Sequence, residues 1–310
     1  MRIIEQEALG GSEVLKEARA ETPTPGGGQI RVRVAGIGVN PVDIAVREGW
    51  LPFLGEPPFV LGWDVAGVVD AVGPGVVDFA VGDRVFGMPA FPNEAGCYAE
   101  YVVGAAGEFA RTPAALSDIE AAALPLVALT AWQALVEAAA LRPGQRVLVH
   151  AGAGGVGHVA IQLAKALGAY TIATVSAAKA DFVRGLGADE VVDYRARDYT
   201  EGLAPVDVAL DTLGGEEVKR TISVVRDGGV LATLVPGTAP EVIEEAARRG
   251  IAHAEIRVRP DGEVLRSVAD LVSDGRLRPH VGLILPLARA AEAHDALSAG
   301  TVVGKIVLAP

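Results

Sequence analysis

Cysteine is almost absent: of 310 residues only Cys97 carries a thiol, so no intramolecular disulfide can form and no cysteine-rich zinc lobe can be assembled. Such usage fits a reducing compartment. Basic residues are also few, 27 against 39 acidic ones for a net charge of −12. With no basic run to offset that balance, an extended phosphate backbone would be repelled. No apolar run approaches the roughly 20 residues of a membrane span. The opening Met1-Arg2-Ile3-Ile4-Glu5-Gln6-Glu7 turns acidic before any signal-peptide core can develop. These absences predict a cytoplasmic protein with neither a nucleic-acid nor a membrane partner. Repeats, low-complexity tails and heptad runs are missing too.

What is present is half hydrophobic, enough for a sizeable core, and a chain of this length predicts two domains. It is organised around one stretch. Arg146-Val147-Leu148-Val149 breaks into Ala151-Gly152-Ala153-Gly154-Gly155-Val156-Gly157, and a helical pattern runs from Val159 to Leu167. Strand, tight turn and helix follow one another, and Gly152, Gly154 and Gly157 satisfy GxGxxG. The first glycine permits the turn, the second lets backbone approach a pyrophosphate, and the third lets helix and strand pack closely. Unpaired N–H groups at the helix start suit phosphate oxygens. The stretch predicts dinucleotide binding.

Residues 1 to about 117 read as strand-rich and punctuated by glycine and proline. Ile30 to Ala35 alternates as a half-exposed strand does, Val65 to Val72 reads as a more buried one, and Val85 to Gly87 as a short third. A compact barrel-like module results. Ser117-Asp118-Ile119-Glu120 has capping-box spacing and opens an alanine- and leucine-rich helical region that Pro125 divides in two. Beyond the glycine loop, strands at 170–175, 190–193, 206–211, 229–235 and 251–258 alternate with helices such as 178–186, 216–225 and 263–273. That order predicts a parallel sheet with helices on both faces. The fold class is therefore α/β: a barrel domain over 1–117, completed by 276–310, and a dinucleotide domain over 118–275.

The second strand of a dinucleotide fold ends beside the adenosine ribose, where a carboxylate suits NAD. Here the end reads Thr174-Val175-Ser176-Ala177-Ala178-Lys179. A hydroxyl at Ser176 and an ammonium at Lys179, with Tyr194 past the next strand as a third donor, predict NADPH/NADP+ as cofactor. The alternative is that Ser176 caps a helix and Lys179 is a solvated surface charge.

The chain resembles the medium-chain dehydrogenase/reductase superfamily, and within it the zinc-independent quinone oxidoreductase group that includes zeta-crystallin-like proteins. The resemblance rests on Asn40-Pro41-Val42-Asp43, Leu61-Gly62-Trp63-Asp64-Val65-Ala66-Gly67, Gly82-Asp83-Arg84-Val85, Tyr98-Ala99-Glu100-Tyr101, Leu129-Thr130-Ala131, the glycine loop and Gly304-Lys305-Ile306-Val307-Leu308. It implies a GroES-like β-barrel domain, a Rossmann domain, and NADPH meeting its substrate between them. It places Asn40 and Thr130 as catalytic residues at the nicotinamide end, and Ala153, Gly154, Gly155 and Val156 at the pyrophosphate. Ser176, Lys179 and Tyr194 match the group's 2′-phosphate contacts, while Thr212, Leu213, Val235, Pro236 and Gly237 line the cofactor channel. Read locally, Asn40 before proline favours a turn and Thr130 satisfies a helical carbonyl. A homodimer follows from the same resemblance, with residues 251–258 as the edge that pairs.

Zinc-dependent relatives place cysteine where Asn40 stands and a His-Glu pair where Trp63-Asp64 stands, so no metal is expected. The histidines at 150, 158, 253, 280 and 294 show no ligand spacing, and His150 reads as a packed scaffold residue. Reducing an enone or quinone needs no metal-stabilised alkoxide, because hydride enters an already polarised conjugated system. Bacterial quinone reductases often carry substrate-facing tyrosines near positions occupied here by Ala45 and Leu51. Trp50 and Phe53 offer a stacking surface without the hydroxyls, and with Asp43 they are the candidate substrate contacts. The predicted activity is NADPH-dependent reduction of a quinone or α,β-unsaturated carbonyl. An enoyl-thioester reductase and a non-catalytic NADPH-binding structural or regulatory protein are the alternatives.

Overall fold

The computed structural model describes residues 1–310. Two units divide the chain, the first formed by 1–129, 259–275 and 279–310, the second by 130–258 and 276–278. In the first, β1 (Arg2–Gln6) lies between β2 (Leu15–Arg19) and β4 (Phe59–Val60) in a small antiparallel sheet. The longer β3 (Gln29–Val39) runs on into helix α1 (Pro41–Arg47). It pairs antiparallel along one side with β5 (Asp64–Val72), which is followed by β6 (Arg84–Gly87), β7 (Tyr101–Ala105) and β8 (Phe109–Arg111). The other side of β3 is shared, its first half taken by β7 and its last residues by a strand from far downstream.

Ser117 caps α2 (Asp118–Ala122), its hydroxyl accepting from the Glu120 amide while the Glu120 carboxylate takes the Ser117 amide. Proline then starts α3 (Pro125–Trp132), which widens into a π-helix over Gln133–Ala138.

The second unit holds a six-stranded parallel sheet. Its elements in chain order are β9 (Arg146–Val149), α4 (Gly155–Ala166), β10 (Tyr170–Val175), α5 (Ala180–Gly185), β11 (Glu190–Asp193), β12 (Val206–Asp211), α6 (Glu216–Val224), β13 (Val225–Thr233), α7 (Pro240–Arg248) and β14 (Ala252–Glu255). The strand order is β11-β10-β9-β12-β13-β14, so the chain winds outward from β9 and then returns to continue on β9's other side. That reversal point is where open α/β sheets bind ligands, beyond the carboxyl ends of the strands. Leu148, Ile172, Ala209 and Leu231 from four neighbouring strands form part of the buried core.

The remaining elements are α8 (Gly262–Ser273), β15 (Val281–Pro286), α9 (Ala290–Ser298) and β16 (Lys305–Ala309). β16 enters the first unit's large sheet between β3 and β15. α2 and α8 also lie in this unit, whereas the sequence predicts them in the dinucleotide domain. Two glycines explain the close seating: a Cβ on Gly36 would meet Ala122 Cβ at 2.9 Å, and one on Gly262 would meet the Gly107 carbonyl at 2.5 Å. β13 begins and ends earlier than predicted, which leaves Val235 in a turn, and α7 falls in a stretch for which no helix is named above.

Candidate functional site

The carboxyl ends of the second unit's strands are aligned by their pairing. Val149 of β9 stands beside Ala173 and Leu210, Val175 beside Asp193, and Asp211 beside Thr233. The loops that follow these strands carry the glycine loop, Ser176, Tyr194, Thr212-Leu213 and Val235-Pro236-Gly237. Residues scattered over 86 positions thus share one sheet edge.

The glycine loop departs from expectation in where its turn is made. Positive φ falls on Ala151 (48°) and not on Gly152. Gly152 is needed for room instead, because a Cβ there would approach Ala173 Cβ at 3.0 Å and Ile161 Cδ1 at 3.1 Å. Gly157 behaves as predicted, since its Cβ would lie 2.3 Å from the Ala151 carbonyl oxygen and force α4 off the loop. Gly154 is the N-cap of α4. The amides of Gly155 and Val156 in the first turn have no intrahelical acceptor, which with the helix dipole makes a cradle for an anion.

Beyond β10, Ser176 occupies the N-cap position of a single 3-10 turn, Ala177–Lys179, yet its side chain accepts no capping hydrogen bond. The local alternative for Ser176 is therefore not used. The residue before it, Val175, pairs with Asp193, and Tyr194 follows Asp193, half exposed at 50%. The Arg195 guanidinium lies 5.7 Å from the Tyr194 ring centroid, adding a basic group that the sequence prediction passed over. No carboxylate follows Val175 before Asp181.

Beneath the edge lies a buried polar layer. His150 Nδ1 is 3.0 Å from Thr174 Oγ1 and Nε2 is 2.9 Å from Thr221 Oγ1. Thr221 Oγ1 also lies 2.8 Å from Asp211 Oδ2. The other oxygen, Asp211 Oδ1, accepts the amides of Leu213 and Gly214 at 2.9 and 2.8 Å. Burial lowers the pKa of His150, which is consistent with a neutral ring joining two threonines. This is the scaffold role expected of it, and Asp211 is the missed organiser of the Thr212–Gly214 turn.

In the first unit, Asn40 and Asp43 belong to a fully buried network. The Asn40 amide N–H donates to Asp43 Oδ2 at 2.8 Å, and Tyr98 Oη donates to the same oxygen at 3.0 Å. Asn40 Nδ2 donates to Asp64 Oδ2 at 2.9 Å, and Asn40 Oδ1 accepts from the Lys305 ammonium. Asp64 Oδ1 accepts the Leu126 amide at 2.7 Å, at the start of α3. Lys305 Nζ completes its set with Val39 O at 3.0 Å and Asp64 Oδ2 at 3.4 Å. Desolvation raises the pKa of both carboxyls, that of Asp43 to about 7, and lowers that of Lys305. Asp43 is, like Asn40, an interior group in this structure, held by its bonds to Asn40 and Tyr98. Thr130 is also buried, in the last turn of α3. Trp50 is 78% exposed and so does not anchor its loop over the core, while Phe53 is 41% exposed.

The Alcohol dehydrogenase GroES-like domain model matches residues 26–114, and the model described as Zinc-binding dehydrogenase matches residues 186–308. A 2-haloacrylate reductase from a Burkholderia species is 34% identical over 325 residues, covering 97% of this chain and 96% of that protein. The chain belongs to the medium-chain dehydrogenase/reductase superfamily. Among solved members, the quinone oxidoreductase of Coxiella burnetii superposes with a TM-score of 0.94 at 34% identity, covering 100% of this chain and 99% of that one. The Escherichia coli quinone oxidoreductase complexed with NADPH gives 0.90 at 30% identity, with 100% of both chains covered. The polyketide synthase GfsB of Streptomyces halstedii is 40% identical over 290 residues, 91% of this chain, but the match spans only 5% of that protein's length.

Within this superfamily the residues do not fit zinc. Asn40 and Trp63 stand where zinc-dependent relatives have a cysteine and a histidine, and no group of three or more His, Cys, Asp or Glu side chains could hold a metal. Trp63 is buried, its Nε1 donating to Asn93 O at 2.7 Å, with Phe91 edge-on at 5.2 Å and Phe53 edge-on to Phe91 at 5.8 Å. Cys97 is buried and its thiol is pushed well above the ordinary range by desolvation. A stable thiolate ligand is disfavoured there.

Proposed function

We propose that this chain is a zinc-independent, NADPH-dependent oxidoreductase that reduces a quinone or α,β-unsaturated carbonyl, acting in the cytoplasm as a homodimer. The observation that carries the cofactor choice is the end of β10: Ser176 leaves its hydroxyl unused in capping, Lys179 follows one turn on, and no carboxylate stands between them. A 2′-phosphate adds negative charge that an acidic residue there would repel.

When bound, NADPH supplies the hydride for reduction of the conjugated acceptor. The chain's own contribution is placement. In this reading the amides from Ala153 to Val156, next to Gly152, hold the pyrophosphate, and Ser176, Lys179 and Tyr194 hold the 2′-phosphate. Thr212, Leu213, Val235, Pro236 and Gly237 flank the cofactor. Asn40 and Thr130 orient the nicotinamide and the acceptor carbonyl, and Trp50 and Phe53 offer aromatic faces to a planar substrate. Charge delocalised into an enolate or quinol needs donors at the carbonyl oxygen, and solvent supplies the final proton. Homodimer formation is supported by β14, an outer strand of its sheet paired only with β13.

Oxidation of NADPH followed with 1,4-benzoquinone, 9,10-phenanthrenequinone and simple enones, with a chelator present, tests the reading. Turnover that survives chelation, with NADPH bound at least about tenfold more tightly than NADH, is expected. Turnover abolished by chelation, or tighter NADH binding, would overturn it. The identity to a stretch of polyketide synthase GfsB favours an enoyl-thioester as the second reading, and including a crotonyl thioester in the screen separates the two. A bound but inert cofactor with every acceptor would leave a non-catalytic NADPH-binding protein.

A further inference from the structure

The side-chain amide of Asn40 is keyed from both ends. An ammonium can only donate and a carboxylate can only accept. With Lys305 Nζ at Oδ1 and Asp64 Oδ2 at 2.9 Å from Nδ2, only one of the amide's two flipped states satisfies both neighbours. Turning it over would set NH2 against ammonium and oxygen against carboxylate. The neighbours are themselves fixed: Lys305 is held by Val39 O at 3.0 Å and Asp64 by the Leu126 amide at 2.7 Å. Asp64 lies against Gly38, where a Cβ would meet its carboxylate at 2.8 Å. One amide hydrogen of Asn40 remains with only a long contact, 3.4 Å to Gly38 O.

We propose that Lys305 and Asp64 are positioning residues for the reaction, fixing the Asn40 carboxamide so that its remaining Nδ2–H is aimed and polarised as the donor to the nicotinamide amide or acceptor carbonyl. This rests on the reading that places Asn40 at the nicotinamide end. Lys305 draws electron density toward Oδ1, which strengthens the N–H at the other end of the conjugated amide. A buried ion pair is an expensive way to stabilise a fold, and an apolar pair of like volume commonly serves as well or better. Its use here, in strands β5 and β16 that are otherwise apolar around these residues, points to orientation of the group between the charges.

The test compares N40A, the neutral pair variant K305M/D64N, and the triple combination. kcat and KM with NADPH and an accepted quinone or enone, NADPH dissociation by protein fluorescence, and the thermal midpoint are measured for each. The expected result is a fall in kcat of about tenfold to a hundredfold in K305M/D64N, with NADPH dissociation changed less than about threefold. The triple variant should match N40A alone, because the pair acts only through that amide. Wild-type kcat in K305M/D64N, or losses that multiply in the triple variant, overturn the proposal. An N40A enzyme with wild-type kcat overturns the underlying reading of Asn40 instead, so the two failures are told apart. Should K305M/D64N not fold, D64N alone takes its place: it keeps an acceptor but removes the charge. A severalfold lower kcat at an unchanged midpoint then supports the proposal, and an unchanged kcat overturns it.

Discussion

Arg47 dictates the tautomer of His294. The guanidinium nitrogen Nη1 is 3.1 Å from His294 Nδ1 and can only donate, so the ring must accept there and carry its hydrogen on Nε2, 2.9 Å from Tyr98 Oη. Tyr98 in turn donates to Asp43 at 3.0 Å. The hydrogen bonds therefore run one way, from Arg47 through His294 and Tyr98 to Asp43.

Burial, and then the Arg47 charge, push the His294 pKa down to about 3. The ring should show no titration between pH 5 and 8 by NMR, and R47M should raise its pKa toward the ordinary 6.5. A folded-state pKa below the unfolded one means that this contribution to stability is present above about pH 6.5 and is lost as pH falls toward 3. Titration of His294 near 6.5 in the native protein would contradict the assigned tautomer.

Asp43 has the opposite sign. Desolvation raises its pKa from 3.8 to about 7, so the native state binds the proton more tightly than the unfolded chain does. Its contribution is present below about pH 3.8 and is lost as pH rises through about 7. At about 1.4 kcal/mol per pH unit the full change is on the order of 4 kcal/mol. Stability of the wild type relative to D43N, by urea unfolding from pH 4.5 to 8, should decline as pH rises. Parallel curves would show that Asp43 does not titrate in that range.

The geometry of Gly157 predicts a defect at the loop. A Cβ 2.3 Å from the Ala151 oxygen meets backbone, which cannot rotate away. G157A should lose about 1–3 kcal/mol of stability and bind NADPH at least about tenfold more weakly, by thermal unfolding and fluorescence titration. Unchanged binding would mean that the close approach of α4 to the loop is unimportant for the cofactor.

Charge reversal at the end of β10 tests cofactor choice without touching the glycine loop. K179E should weaken NADPH binding by about tenfold or more, since one opposed charge at contact distance is worth about 1.4 kcal/mol or above, and should leave NADH within about threefold. Equal loss for both cofactors would place the effect on the fold and not on the 2′-phosphate.

Strand, turn and helix around the glycine loop were legible because their signals are local: an apolar run, close glycines and a helical period within about twenty residues. The end of β10, with Ser176 and Lys179 in the turn that follows it, was legible for the same reason. The strain at Ala151 was not, because nothing about an alanine announces a left-handed conformation. The burial of Asp43 was not legible, because it depends on Tyr98 and on α9, which come much later in the chain. Lys305 and Asp64 stand 241 residues apart. A lone lysine in Gly-Lys-Ile-Val-Leu and a lone aspartate in Gly-Trp-Asp-Val-Ala were the available signals, and only the sheet shows that they meet. The placement of α8 with the first unit was hidden similarly, since Gly262 seats against Gly107 and Phe109, far earlier in the chain.

β16 has a consequence for the order of assembly. It is the seam between β3 and β15, and it brings Lys305 to Asn40 across 265 residues. During synthesis the ribosome will have released β3 long before this neighbour exists, leaving that strand's outer half without a mate while the parallel sheet takes shape behind it. The half-made barrel presents an open edge able to recruit another chain. Arg146 to Glu255 can therefore mature first, and the earliest residues made are among the last to be locked.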